Sequence, residues 1–283
     1  MSLIEKDRIC FYTSMFKGRS SAWEIAEFAV KKRAGGLELM NFCEELKTPN
    51  LSEALKIGKY ARENNLSLPC FSVGVDFYAD EQRREQIAYV KAYADICAAL
   101  EIPYLHHTTI THLDPQKLQK PLDELITTSA EAALEINEYA ASLGVRTIVE
   151  DQGFVVNGVE SYQRFLKATD NRVGTLLDVG NIMMLDECAE DFFRVFANRT
   201  KHVHIKDYQL TDSPTSGVCY KTRAGKYLTD CEMGLGDISL RDTVAAIEAS
   251  GYTGYYSLEF SNVKNESEVD RVLERMEKGF ADK

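Results

Sequence analysis

The chain has 283 residues, 45% apolar and 27% charged, with 33 basic against 44 acidic side chains for a formal net charge of −11. That balance excludes the basic footprint of a nucleic-acid binder, and the composition is that of a globular chain. Seven cysteines without a C-x-x-C pair set aside zinc-finger and redox-pair patterns and point to a reducing, cytoplasmic setting. No apolar run approaches the ~20 residues of a membrane helix and no N-terminal signal pattern is present, so no membrane partner is expected.

Strand-like and helix-like segments alternate along the chain. Residues 9–13 (I-C-F-Y-T) read as a first strand. Ser21 with Glu24 three positions on is a capping-box signature, starting a helix that runs to about residue 33. Gly35-Gly36 ends it. Residues 37–40 form a second strand with Glu38 in its middle, 51–64 a helix and 66–75 a third strand. The helix over 80–100 carries Ile87, Val90, Ala94 and Cys97 as one stripe. Strand 103–108 holds His106-His107, of which only one points inward; alternation from Leu105 favours His106. A helix over 123–143 is stopped by Gly144, expected as a left-handed cap. Strand 145–150, helix 159–168, strand 173–178 and a helix near 191–198 follow. Strand 200–208 leads into a long polar connection, 209–237, punctuated by Pro214, Gly217, Gly225, Gly234 and Gly236; loops of that length are usually functional. Helix 240–249, strand 254–260 and helix 266–280 complete the chain. Eight strands alternating with eight helices, about 35 residues per unit, predict an α/β fold: a (β/α)8 TIM barrel in a single domain over residues 1–283. G-x-G-x-x-G is absent after the first strand, which argues against a dinucleotide-binding sheet.

Residues 200–208 read T-K-H-V-H-I-K-D-Y. As a strand they send His202, His204 and Lys206 to one face and Val203 and Ile205 to the other. A buried parallel strand is ordinarily apolar on both faces, and an unpaired buried polar group costs roughly 1–3 kcal/mol. Inward imidazoles therefore require a metal ion or a polar substrate. Three other strands end an apolar run in an acid: Glu150, Asp178 and Glu259. The steps Glu150 to Asp178 to His204 are 28 and 26 residues, one strand–helix unit each. At the C-terminal ends of barrel strands, where such barrels carry their chemistry, the four side chains converge. Three carboxylates and an imidazole suit one divalent metal ion (Mn, Co, Mg or Zn), and without a cation the acids repel. His202, one layer deeper, is a neighbour rather than a ligand. Lys206 reaches either a substrate oxygen or a nearby carboxylate. Tyr12 walls the pocket or packs as an ordinary aromatic, and Arg223 in the long connection is a candidate grip for a substrate phosphate or carboxylate.

The ordered set G-L-E-L near residue 37, T-I-V-E-D (147–151), L-L-D-V-G-N (176–181), H-V-H-I-K-D (202–207), G-L-G-D-I-S (234–239) and G-Y-T-G-Y-Y-S-L-E (251–259) resembles the xylose-isomerase-like superfamily of sugar and sugar-phosphate isomerases and epimerases. The resemblance covers nearly the whole chain. It implies one divalent ion held by Glu150, Asp178, His204 and Glu259, with Glu150 and Glu259 as acid and base on opposite faces of the sugar. Proton transfer next to a carbonyl would then pass through an enediolate. Likeness to the family also places Glu38 and His107 at the substrate, and homo-oligomers are usual there. Two departures stand out. Asn181 takes the place of the D-x-x-H histidine and cannot shuttle a proton near neutral pH. Leu210 stands where ketohexose 3-epimerases carry an arginine, which weighs against that specific reaction. A metal-dependent dehydratase of a polyol ketone or cyclic acid is the alternative on the same barrel. An apurinic-site endonuclease, histidine-rich and three-zinc, and a non-catalytic sugar-binding barrel rank below it.

Overall fold

Residues 3–13, 21–111, 115–215, 219–260, 263 and 265–280 are described by the computed structural model. The alternation read from the sequence sorts each inner strand into two faces. β1 (Ile9–Tyr12), β2 (Gly36–Met40), β3 (Cys70–Val73), β4 (Tyr104–His107), β5 (Arg146–Glu150), β6 (Gly174–Asp178) and β7 (Thr200–Ile205) run parallel. After β8 (Tyr208–Thr211), β9 (Cys219–Lys221) and β10 (Tyr227–Asp230), β11 (Tyr256–Leu258) pairs with both β1 and β7 and closes the barrel. The helices are α1 (Ala22–Lys32), α2 (Leu51–Glu63), α3 (Asp80–Leu100), α4 (Leu122–Ser142), α5 (Val159–Ala168), α6 (Ala189–Phe196), α7 (Leu240–Ala249) and α8 (Glu266–Glu277). The fold is the α/β TIM barrel expected.

Outward residues such as Phe11, Leu39, Phe71, Leu105, Val149 and Val203 are buried in one apolar core with the helices. Cys70, Ile148 and Leu176 fill the N-terminal part of the barrel interior, with Tyr104 beside them. Toward the C-terminal ends of the strands the interior turns polar, which an all-apolar core would not need. All seven cysteines are free. Among the described residues no helix is long and apolar enough to cross a membrane.

Three local readings meet the structure differently. Gly144 takes φ +80° as expected, and the N–H groups of Gly144 and Val145 donate back to Ala141 and Ala140, which ends α4 in a Schellman turn. The Ser21–Glu24 capping box does not form. Glu45, from the turn before α2, accepts from Ser21 Oγ at 2.6 Å and from Ala22 N at 3.0 Å, so a carboxylate from elsewhere satisfies the helix start. The connection 209–237 is not a plain loop: β8, β10 and β9 pair there as an antiparallel sheet. Gly217 lies outside the described residues. Asp207, just past β7, holds the returning segment by accepting from Gly234 N, Gly236 N and Ile238 N at 2.9, 2.8 and 3.3 Å. A Cβ on Gly236 would lie 2.2 Å from Asp207 Oδ1, which is why glycine stands there.

Candidate active site and metal centre

Glu150 closes β5, Asp178 closes β6, and His204 is the penultimate residue of β7. Glu259 follows β11 and stays in register, its N–H donating to Ile205 O at 2.9 Å. One ligand atom from each of the four lies within 4.8 Å of the others. His204 Nδ1 sits 3.2 Å from Glu259 Oε2, 3.5 Å from Glu150 Oε1 and 4.0 Å from Asp178 Oδ2, and makes no hydrogen bond. The turn after β6 donates Gly180 N and Asn181 N to Asp178 Oδ1 at 2.8 and 2.9 Å, which leaves Oδ2 facing the cluster.

A second polar group lies behind the imidazole. Glu38, fully buried, accepts from His204 Nε2 at 3.0 Å and lies 2.8 Å from His202 Nε2, which also meets Ser257 Oγ at 2.8 Å. Ser72 Oγ donates to Glu38 Oε1 and lies 2.8 Å from His106 Nδ1. A carboxylate on one ring nitrogen orients the other toward a metal.

The charges do not balance on carboxylates alone. Burial pushes the Asp178 carboxyl well above its ordinary range against Lys206, and Glu259 and Glu150 add to the rise. Burial works the same way on Glu150 and Glu259, but His204 for the first and Lys206 for the second outweigh it and hold both below the usual range. His204 is held well above its ordinary value: burial opposes, and Glu38, Glu150 and Glu259 win. Three acids and one imidazole nitrogen without a hydrogen bond at one point form the donor set of a hard or borderline divalent cation, so these residues fit such an ion.

The remaining candidates separate. Tyr12 lines the adjoining cavity of about 440 Å³ together with Met40, Phe42, His106, Glu150 and Glu259, and its ring packs 5.1 Å from that of His204. Lys206 is buried on Asp178 and Glu259 at 2.8 and 3.0 Å, the carboxylate alternative of its two readings. Asn181 spans the cluster: Nδ2 donates to Glu150 Oε1 at 2.9 Å and Oδ1 accepts from Lys206 at 3.2 Å. Three expectations are corrected. Glu38 is spent on His202, His204 and Ser72 behind the cluster rather than lining the cavity, because it lies in mid-strand below Met40. His107 pairs in register with Val73 and Val149 on the outer face, so its ring meets Phe77, not the cavity; His106 takes the inward place. Arg223 anchors the β9–β10 hairpin outside the mouth, donating to Leu185 O at 2.8 Å and pairing with Glu187 at 3.2 Å.

Sequence reasoning missed Ser72 and Asp151. Ser72 is a lone serine in C-F-S-V and carries no signal without its strand neighbours. Asp151 directly follows a strand-end glutamate; its Oδ1 accepts from Asp178 N at 2.7 Å, and burial, with Asp178 adding to it, pushes its carboxyl well up. A larger cavity of about 570 Å³ opens at the opposite end, around Pro69, Pro103 and Gly251, and brings no acids or imidazoles together.

Residues 31–279 match the family model described as xylose isomerase-like TIM barrel. A curated relative, inosose dehydratase of Clostridium perfringens, is 26% identical over 139 residues, which cover 47% of this chain and 46% of that protein. The match thus spans about half the relative's length. Among solved structures, the IOLI protein with a bound zinc atom superposes with a TM-score of 0.75 at 18% identity, covering 97% of this chain and 98% of that one. D-psicose 3-epimerase with D-tagatose from Clostridium cellulolyticum H10 gives 0.71 at 15%, covering 98% and 93%. At these identities the structural likeness speaks for the fold.

Proposed function

The chain belongs to the xylose isomerase-like TIM-barrel family, and on that premise we propose that it is a divalent-metal-dependent sugar isomerase or epimerase. One observation carries the reading: His204 Nδ1, buried and without a hydrogen bond, faces Glu150, Asp178 and Glu259 at the edge of a cavity that both glutamates line. Glu150, Asp178, His204 and Glu259 would hold the ion. Bound there, it supplies Lewis-acid polarisation of a substrate carbonyl.

The chain's own groups do the proton work. One glutamate takes the proton from the carbon next to the carbonyl, giving an enediolate, and the other returns a proton to it. Asn181 keeps Glu150 Oε1 in place, while Lys206 keeps Glu259 Oε2 and Asp178 Oδ2 apart from solvent and partly neutralised. Tyr12, Met40 and Phe42 give the site an apolar wall. The seven free cysteines support a reducing compartment such as the cytoplasm. The dehydratase reading keeps the first deprotonation and then expels a hydroxyl as water; the Clostridium relative favours carrying it forward.

The test is metal content of wild type and His204→Ala by elemental analysis, followed by a ketose and inosose panel in D₂O. About one divalent ion per chain, lost in the variant, with deuterium entering next to a carbonyl, is expected. A product lighter by one water selects the dehydratase. No retained ion after loading with Mg, Mn, Co and Zn overturns the proposal.

A further inference from the structure

Hydrogen-bond direction can be followed from Glu38 to the cavity wall. Glu38 faces two imidazole nitrogens, His202 Nε2 at 2.8 Å and His204 Nε2 at 3.0 Å, and as a carboxylate it only accepts. The single proton of Ser72 Oγ therefore goes to Glu38 Oε1. What Ser72 presents to His106 Nδ1, 2.8 Å away, is a lone pair, so Nδ1 carries the hydrogen. His106 Nε2 is buried, makes no hydrogen bond, and stands 3.6 Å from Glu150 Oε2. With the hydrogen on Nδ1, the neutral ring carries its lone pair on Nε2.

We propose that the Glu38–Ser72–His106 relay fixes His106 as a hydrogen-bond acceptor in the cavity wall, where its Nε2 reads a hydroxyl group of the substrate beside Glu150. This rests on the sugar-site reading above. His106 and Glu150 both line the cavity and turn two acceptors to the same spot. A sugar hydroxyl can donate there. A carbonyl or phosphate oxygen would meet only lone pairs. The wall thus selects which carbon of a polyhydroxy ketone lies beside Glu150: one bearing O–H, with the carbonyl turned elsewhere. Ser72 and Glu38 act through His106 and are positioning residues.

The experiment is long-range ¹⁵N–¹H correlation on histidine-labelled, Mg²⁺-loaded protein, with His106 assigned by its loss in His106→Gln. A protonated Nδ1 and a far-downfield Nε2 are expected, with that preference lost in Ser72→Ala while metal content holds. Saturating addition of panel sugars (D-fructose, D-psicose and an inosose) should move Nε2 upfield for the one that is turned over. With that sugar His106→Leu should raise KM roughly 10-fold and change kcat less. A protonated Nε2 in wild type, an Nε2 unmoved by every sugar, or a second bound ion lost in His106→Gln each overturns the inference. Failure of metal binding instead sinks the functional reading, and the tautomer result then stands or falls by itself.

Discussion

The two adjacent histidines of β4 divide the two faces of the barrel between them. His106 and His107 have the same side chain, yet one turns to Ser72 and Glu150 and the other lies under Phe77 among outward-facing strand residues. Burial pushes the His107 imidazole down to about 4, and its Nδ1 donates to Thr108 O at 2.9 Å, so it folds neutral. The sign of the linkage follows. In the unfolded chain the ring titrates near 6.5, so between there and about 4 the unfolded state binds the extra proton. The stability this ring permits is complete above about pH 6.5 and is lost as the pH falls toward 4. His107→Asn, which can keep the bond to Thr108, should flatten the loss of the urea midpoint between about pH 7 and about pH 4.5. Wild type should lose about 2 kcal/mol more than the variant over that window; parallel slopes would show that His107 is not buried neutral. The four ligand candidates were legible in the sequence because each acid closes an apolar run and His204 alternates with Val203 and Ile205. Glu38 was legible as inward but not as the partner of His204, since that pairing joins β2 to β7 across the barrel.

At the scale of elements, side chains from other segments decide what local patterns leave open. Ser21 and Glu24 satisfy the sequence rule for a capping box, but Glu45 reaches the helix start with both oxygens and leaves Glu24 unused. Losing a cap costs about 1 kcal/mol, while an exposed change away from such features stays within about 0.5 kcal/mol. Glu45→Ala should therefore lower the unfolding free energy by about 1 kcal/mol in chemical denaturation, and Glu24→Ala should barely change it. Equal effects would restore the local capping box. The same limit explains the connection after β7. Its strands are only three or four residues long and mix apolar with polar side chains on partly exposed positions; Leu228 is one of the few positions there that is fully buried. Alternation needs a longer buried face to register. Asp207 appears in the sequence only as the acid that ends H-V-H-I-K-D, although it ties that sheet's return to the end of β7.

For the whole molecule, strand order was legible because the strand–helix beat repeats and parallel barrels close in sequence order, as β11 does between β7 and β1. The same order lets one ion act on the entire fold. Its four candidate ligands sit on β5, β6, β7 and just past β11, four neighbouring strands that make half of the barrel wall. The unfolded chain keeps the same carboxylates apart and hydrated, so binding that requires all four ligands together favours the folded state. Ligand at 100 times its dissociation constant stabilises by about 2.7 kcal/mol, which for a chain of this length moves the thermal midpoint by roughly 5 °C. Removing metal with EDTA should lower the wild-type midpoint by that order, and restoring Mg²⁺ or Mn²⁺ should reverse it in a concentration-dependent way. His204→Ala should start lower and ignore both treatments, because removing the imidazole leaves three carboxylates whose mutual repulsion only Lys206 offsets. A wild-type midpoint indifferent to EDTA and to added ions would mean that the acids are held by Lys206, Asn181 and His204 without an ion, and the site would then be an ion-pair network of the barrel mouth.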